Sequence, residues 1–275
     1  MSDMYLGIDI GGTKTLVASL DNRGSITESI KFPTPKEYAL FLKELSIAVA
    51  NLSTKEFVAC GVAVPGRVDR EKGIAVAFGN LPWTNVPIRH DLHHMLKCPV
   101  VVDNDANLAG LSEAMLLRQY DCVLYVTVST GIGTGIITNQ KIDPEFADSE
   151  GGSIMLEHKG KIMQWEDFAS GRAIVKRFGK RADEIEDEKT WKIITKDIAI
   201  GLFDLVTFIQ PDAVVLGGGV MTHLDRFDDL LMKDLKRFET PMTPLPPILR
   251  AQRPEEAVVY GCYDLAKSTY GKVRR

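Results

Sequence analysis

The segment Gly7-Ile-Asp-Ile-Gly-Gly-Thr-Lys-Thr15 sets a carboxylate (Asp9), two glycines (Gly11 and Gly12), a hydroxyl (Thr13) and an ammonium (Lys14) side by side. That is chemistry for phosphate. Glycine removes the Cβ that would hold backbone N–H groups away from an anion, and Thr13 and Lys14 add donors. Asp9, at the end of an apolar run, suits a Mg²⁺ held largely through water, since Mg²⁺ takes few carboxylates and keeps several waters. The segment is not a Walker A loop. Gly7 and Gly12 have the spacing, but Thr13 stands where that loop needs lysine, and the chain continues as a strand rather than a helix. A second stretch, Leu124 to Gln140, repeats the layout with Thr127, Ser129, Thr130, Gly131 and Gly133 in its turn. One such turn alone reads equally well as a tight hairpin without a ligand. Two could clamp a polyphosphate from both sides.

Three further groups carry chemistry. Asp103-Asn-Asp-Ala-Asn107 joins an apolar strand to a helix, where a carboxylate can point into a cleft, although Asp and Asn there also serve as N-caps. Gly217-Gly218-Gly219 after an apolar strand would let the backbone approach an adenine or ribose, or simply make a tight turn into a helix. His90, His93 and His94 have helical spacing but no further ligands nearby in sequence, and read as a polar helix face rather than a metal site.

These groups need strands and turns to hold them. Both phosphate-type segments read as strand, Gly/Thr turn, second apolar strand and polar turn, so the chain reads as a duplicated domain of α/β class. Helices are predicted over 36–51, 88–96, 104–118, 165–178, 191–209, 225–238 and 254–270, and strands over 57–64, 99–103 and 213–216. Residues 143–160 read as irregular. The expected division is 1–115 for an N-terminal lobe and 116–254 for a C-terminal lobe, with a last helix (255–275) folding back on the first. Of 275 residues, 45% are apolar and 25% charged, and the net charge is −4, which excludes a disordered chain and a basic nucleic-acid surface. No apolar run is long enough to span a bilayer. Four scattered cysteines (Cys60, Cys98, Cys122, Cys262) suit a reducing compartment, and the expectation is a cytoplasmic protein without membrane or nucleic-acid partners.

Asp9-Ile-Gly-Gly-Thr-Lys14, Pro65-Gly66, Asn104-Asp-Ala-Asn107, Thr130-Gly-Ile-Gly-Thr-Gly135 and Leu216-Gly-Gly-Gly219, in this order, resemble the ROK family of repressors, open reading frames and sugar kinases. The resemblance covers nearly the whole chain. It implies the two-lobed actin-like, hexokinase-type ATPase fold with ribonuclease H-like duplicated lobes. It also implies Asp105 as catalytic base and Asn80, Asn104, Asp105, Glu150 and Glu166 as sugar-binding residues. Read without it, Asn80 is an Asx-turn before Pro82 and Glu166 a solvated helix residue. The nucleotide is expected at Thr130, Gly131 and Gly133 and at Gly217, Gly218 and Gly219, with Asp9, Gly11, Gly12, Thr13 and Lys14 on the phosphates. The pattern departs in one stretch. Ser149-Glu-Gly-Gly-Ser153 puts Ser153 where the family carries a sugar-binding histidine, and the three cysteines of the family's zinc cluster are absent, so no zinc site is expected.

The resulting expectation is an ATP- and Mg²⁺-dependent hexose kinase, with glucose as first substrate and glucose 6-phosphate as product. By family likeness it is a homodimer. The alternatives are a polyphosphate-dependent glucokinase, an N-acetylhexosamine or fructose kinase, and a non-catalytic sugar-sensing regulator. The family's repressors carry a helix-turn-helix before the phosphate motif, whereas eight residues precede Asp9 here, so DNA binding is not expected.

Overall fold

The computed structural model describes residues 3–253 and 256–271. The described residues within Met1–Ser112 and Glu255–Arg275 form one compact unit, and those within Glu113–Pro254 form a second. Unit 1 runs β1 (Met4–Ile10), β2 (Lys14–Asp21), β3 (Ile26–Pro33), α1 (Tyr38–Asn51), β4 (Ala59–Val64), β5 (Gly66–Asp69), β6 (Ile74–Phe78), β7 (Thr84–Val86), α2 (Ile88–Leu96), β8 (Val100–Asn104) and α3 (Asp105–Ala114), whose last residues belong to unit 2. Unit 2 continues with β9 (Cys122–Val128), β10 (Ile132–Thr138), β11 (Lys141–Ile142), β12 (Met155–His158), β13 (Lys161–Gln164), α4 (Glu166–Ala169), α5 (Gly171–Phe178), α6 (Glu188–Ile209), β14 (Ala213–Gly217), α7 (Asp228–Lys236) and β15 (Ile248–Arg250). The final helix, α8 (Ala257–Tyr270), returns to unit 1.

Each unit has the same five-stranded plan. In unit 1 the order is β3-β2-β1-β4-β8, and in unit 2 it is β11-β10-β9-β14-β15. The first three strands in sequence form an antiparallel meander, and the other two lie parallel to the first. Strands with parallel neighbours need cover on both faces, which is why β1 and β9 read as near-continuous apolar runs. In unit 1, Phe41 and Leu45 of α1 belong to one core with Leu6, Ile8, Ile10 and Val62. Val259, Tyr263 and Ala266 of α8 form another with Tyr5, Ala18, Leu20 and Ala59. In unit 2, Ile194, Ile198, Leu202 and Val206 of α6 share a core with Leu124, Val126, Trp165 and Phe227. Trp191 and Phe227 stack in that core, 3.9 Å apart.

Several expected elements differ. The stretch 143–160, expected to be irregular, ends in the antiparallel hairpin β12–β13. The helix expected over 165–178 is two helices, because Ser170 leaves the helical conformation and its side chain accepts the Ala173 N–H, capping α5. The helix expected from 225 starts at Asp228, after a 3₁₀ segment at Met221–Arg226. α3 stops at Ala114, short of 118. α1 starts at Tyr38 rather than 36, and α8 at Ala257, with Pro254 outside the described residues. Sequence patterning gave no sign of the small sheet β5-β6-β7, whose strands are too short for a period to show. That sheet leads to Asn80.

Candidate active site

In unit 1, β1 ends at Ile10 and the chain turns tightly, with the Gly11 N–H donating to the Lys14 carbonyl at 3.0 Å. The segment after β3 braces this turn. Thr34 Oγ1 donates to the Gly11 carbonyl at 2.8 Å, and its N–H donates to the Thr13 carbonyl at 2.9 Å. Lys36 Nζ reaches the Gly12 carbonyl at 3.3 Å and the Asn80 carbonyl at 3.1 Å, joining the turn to the loop after β6. A Cβ on Gly12 would lie 2.6 Å from the Cβ of Asn80, so only glycine lets the two approach. Thr13, Lys14 and Asn80 are exposed.

At the carboxyl end of β8, Asn104 caps α3. Its side-chain oxygen accepts the Ala106 N–H at 2.8 Å, and its amide nitrogen donates to the Gly66 carbonyl at 3.0 Å. Asp105 opens the helix with a partly buried carboxylate whose Oδ1 accepts the Ala106 N–H at 2.9 Å. The cap reading and the site reading thus fall on neighbouring residues rather than competing. Asp105 interacts with Asp9 across the ends of β1 and β8. Burial first, and then the negative charge of Asp105, push the Asp9 carboxyl up to about 7, with Lys31 pulling the other way. A buried carboxyl beside a second one suits a hydrated divalent cation that phosphates would hold in larger part. Among the described residues no group of three or more His, Cys, Asp or Glu side chains forms a dedicated metal cage.

Unit 2 assembles its own set. The second turn is closed by the Ser129 N–H donating to the Gly131 carbonyl at 2.9 Å. It is held against the start of α5, where the Gly171 N–H donates to the Ser129 carbonyl at 2.7 Å. Gly218 takes a φ of +87°, and a Cβ there would stand 2.5 Å from Thr127 Oγ1, so the triple glycine folds directly onto the strand that carries the turn. Thr130 and Gly219 are exposed beside them. Gly133 pairs with Thr127 within the β9–β10 ladder. Glu166, at the start of α4, accepts the Ile132 N–H at 3.3 Å and lies against Gly131. Burial first, then Glu166 and Asp148, raise the pKa of Glu150. Ser153 ends the short 3₁₀ turn Gly151–Ser153 and is exposed. Trp165 is fully buried, so it is a core residue rather than a stacking platform, and Trp83 is buried too, donating to the Lys36 carbonyl at 2.8 Å.

Among the described residues the cysteines and His158 do not gather into the four-ligand set that a structural zinc needs. Cys60, Cys98 and Cys262 are buried in unit 1, and Cys122 stands at the start of β9. His158 lies with Nε2 3.2 Å from Asp197 Oδ1 and its ring stacked on Phe168 at 4.3 Å. The other oxygen of Asp197 accepts from Arg177 at 2.7 Å. Residues that motif reading missed include Thr34, Lys36 and Arg70. Their partners lie in other elements, and no local spacing announces them.

The comparisons with known proteins bear on nearly the whole chain. The family model described as "ROK family" matches residues 5–269. A glucokinase of Streptomyces coelicolor is 27% identical, covering 96% of this chain and 98% of its own. An N-acetyl-D-glucosamine kinase of Citrobacter koseri is 29% identical, covering 90% and 94%. The structure of a ROK family glucokinase from Streptomyces griseus, in complex with glucose and AMPPNP, superposes with a TM-score of 0.83 at 27% identity, covering 96% of this chain and 99% of that one. The fold is therefore the two-lobed actin-like ATPase fold, with the repeated sheet order of the two units as its duplicated lobes. The chain belongs to the ROK family.

Proposed function

We propose that the protein is a sugar kinase that moves the γ-phosphate of ATP to a hexose hydroxyl, with glucose as the first substrate and glucose 6-phosphate as the product. One observation carries this reading: unit 1 holds a glycine turn with Thr13 and Lys14 exposed, an exposed amide (Asn80) against it, and a carboxylate at a helix start close enough to perturb Asp9. A phosphate site, a hydroxyl-binding group and a proton acceptor thus share one unit. The glucokinase relatives support the same chemistry.

Phosphoryl transfer has a loose transition state, so the protein contributes mainly position and charge. Asp105 accepts the proton of the attacking sugar hydroxyl as its oxygen bonds to the γ-phosphorus and the bond to ADP breaks, a role typically worth ~10²–10⁴ in rate. Asn80, Asn104, Glu150 and Glu166 hold the sugar hydroxyls. The Gly11–Lys14 turn and the Thr130–Gly133 turn donate to the phosphates, and Gly217–Gly219 lies along the nucleoside. Asp9 is the residue that would hold a Mg²⁺, largely through water, and the bound ion would neutralise charge on the phosphates. Ser153, short and exposed, leaves one sugar contact to a smaller hydroxyl and makes the choice among hexoses a matter for measurement.

The test is a panel of hexoses and N-acetylhexosamines offered with ATP or with inorganic polyphosphate, product being read by mass spectrometry. Glucose 6-phosphate from ATP is expected. Asp105→Asn should abolish it while leaving Tm within a few degrees, since asparagine can still accept the Ala106 N–H. No phosphorylated sugar with either donor would overturn the kinase reading in favour of a sugar sensor.

A further inference from the structure

We propose that Arg70 is a positioning residue for phosphoryl transfer. Through a two-pronged ion pair with Asp103 it fixes the turn that carries Asn104 and Asp105 and ties that turn to the small sheet leading to Asn80. The proposal rests on Asp105 being the base.

Arg70 follows the last residue of β5 directly. Its Nε donates to Asp103 Oδ2 at 2.8 Å and its Nη2 to Oδ1 at 2.8 Å. Asp103 is almost fully buried, at 4% exposure. Its Oδ1 also accepts the Asn104 N–H at 2.7 Å and Asn107 Nδ2 at 2.9 Å. One carboxylate therefore gathers the strand end, the first turn of α3 and the small sheet at a single point. The Asn104–Gly66 hydrogen bond makes a second tie at the other end of β5. Arg70 is itself held, because Arg89 of α2 donates to the Arg70 carbonyl at 3.2 Å and to the Glu71 carbonyl at 2.6 Å. Only a planar guanidinium satisfies both carboxylate oxygens in parallel, and lysine would supply a point charge without the fork. Asp105 and Asn80 stand on different elements, and the Arg70–Asp103 pair sets the register between those elements. A displacement of about 1 Å at a reacting group costs ~10²-fold in rate.

Kinetics of Arg70→Ala and Arg70→Lys test this. For Arg70→Ala, kcat should fall roughly 30- to 100-fold and KM for the sugar should rise, with KM for the nucleotide unchanged. Arg70→Lys should recover only part of the loss, and added guanidinium ion should restore measurable activity to Arg70→Ala. Hydrogen exchange on the protein alone gives an independent reading. The amides of residues 104–107 should exchange faster in Arg70→Ala, and those of β9 and β14 should not. If the single variant fails to fold, Arg70→Gln/Asp103→Asn removes the buried unpaired charge and takes its place in both measurements. The proposal is overturned if kcat stays within twofold of wild type, or if activity falls only with the folded fraction and guanidinium restores none. Should the wild-type protein phosphorylate no sugar, the Asp105 reading fails, and unchanged exchange at residues 104–107 separately overturns the role of Arg70.

Discussion

Gly12 and Asn80 stand so close that a Cβ on the glycine would lie 2.6 Å from the Cβ of the asparagine. The Gly11–Lys14 turn and the loop that carries Asn80 are therefore built as one surface, with Lys36 bonded to the carbonyls of both Gly12 and Asn80. Gly12→Ala should push the exposed Asn80 loop away at a modest stability cost, about 1 kcal/mol, because a surface loop can yield. Steady-state kinetics should show sugar KM raised about tenfold or more. A sugar KM equal to wild type would show that the two do not act together.

What a sequence reader can see in this protein is what folds on itself. The Gly11–Lys14 turn closes between near neighbours, and Asn104 caps the helix it precedes, so both were legible as motifs. The duplication was legible because Leu6–Asn22 and Leu124–Gln140 repeat one strand-turn-strand pattern. The hidden part is tertiary. Arg70 meets Asp103, Lys36 meets Asn80, and His158 meets Asp197, each pair joined by packing of elements that carry no common period. The break at Ser170 was hidden for a different reason. A serine inside an apolar helical pattern reads as tolerated, and only its bond to the Ala173 N–H reveals a new start.

Burial, with the Asp105 charge beside it, pushes the Asp9 carboxyl up to about 7 from its ordinary value near 3.8. A raised carboxyl means that the folded state holds its proton where the unfolded chain has lost it, so stability falls as pH rises through the interval between the two values and levels off above. Asp9→Asn has nothing to ionise. In the metal-free protein its Tm should exceed that of wild type by a margin that widens from about pH 4 to about pH 7 and then stays constant, although the variant should lose kinase activity. A margin independent of pH would refute the raised Asp9 carboxyl.

Zinc should be dispensable. His158 is occupied by Asp197 and stacked on Phe168, and Asp197 in turn holds Arg177, so this corner is closed by ions and hydrogen bonds of the chain itself. A selective zinc chelator should leave Tm unchanged. Asp197→Ala, which strips both partners, should cost about 3–5 kcal/mol in urea unfolding, and His158→Ala should cost less. Unfolding on chelation would show that a metal has been overlooked.

Glu113 holds the strand end of unit 2 from far away in sequence. Its side chain is completely buried, and its two oxygens accept the N–H groups of Gln252 and Arg253, each at 2.8 Å. Backbone donors aimed at both oxygens offset the desolvation of a buried carboxylate. Removing it takes the side-chain acceptor from both N–H groups, each hydrogen bond being worth about 1–3 kcal/mol. Glu113→Ala should therefore lower the urea midpoint by an amount worth about 2–5 kcal/mol. Glu113→Gln should fall between, since the amide oxygen accepts one N–H while its NH₂ opposes the other. Both variants should retain wild-type KM values at low temperature, because Glu113 touches no residue assigned to sugar or phosphate. An altered sugar KM with unchanged stability would move Glu113 from a structural clamp into the site itself.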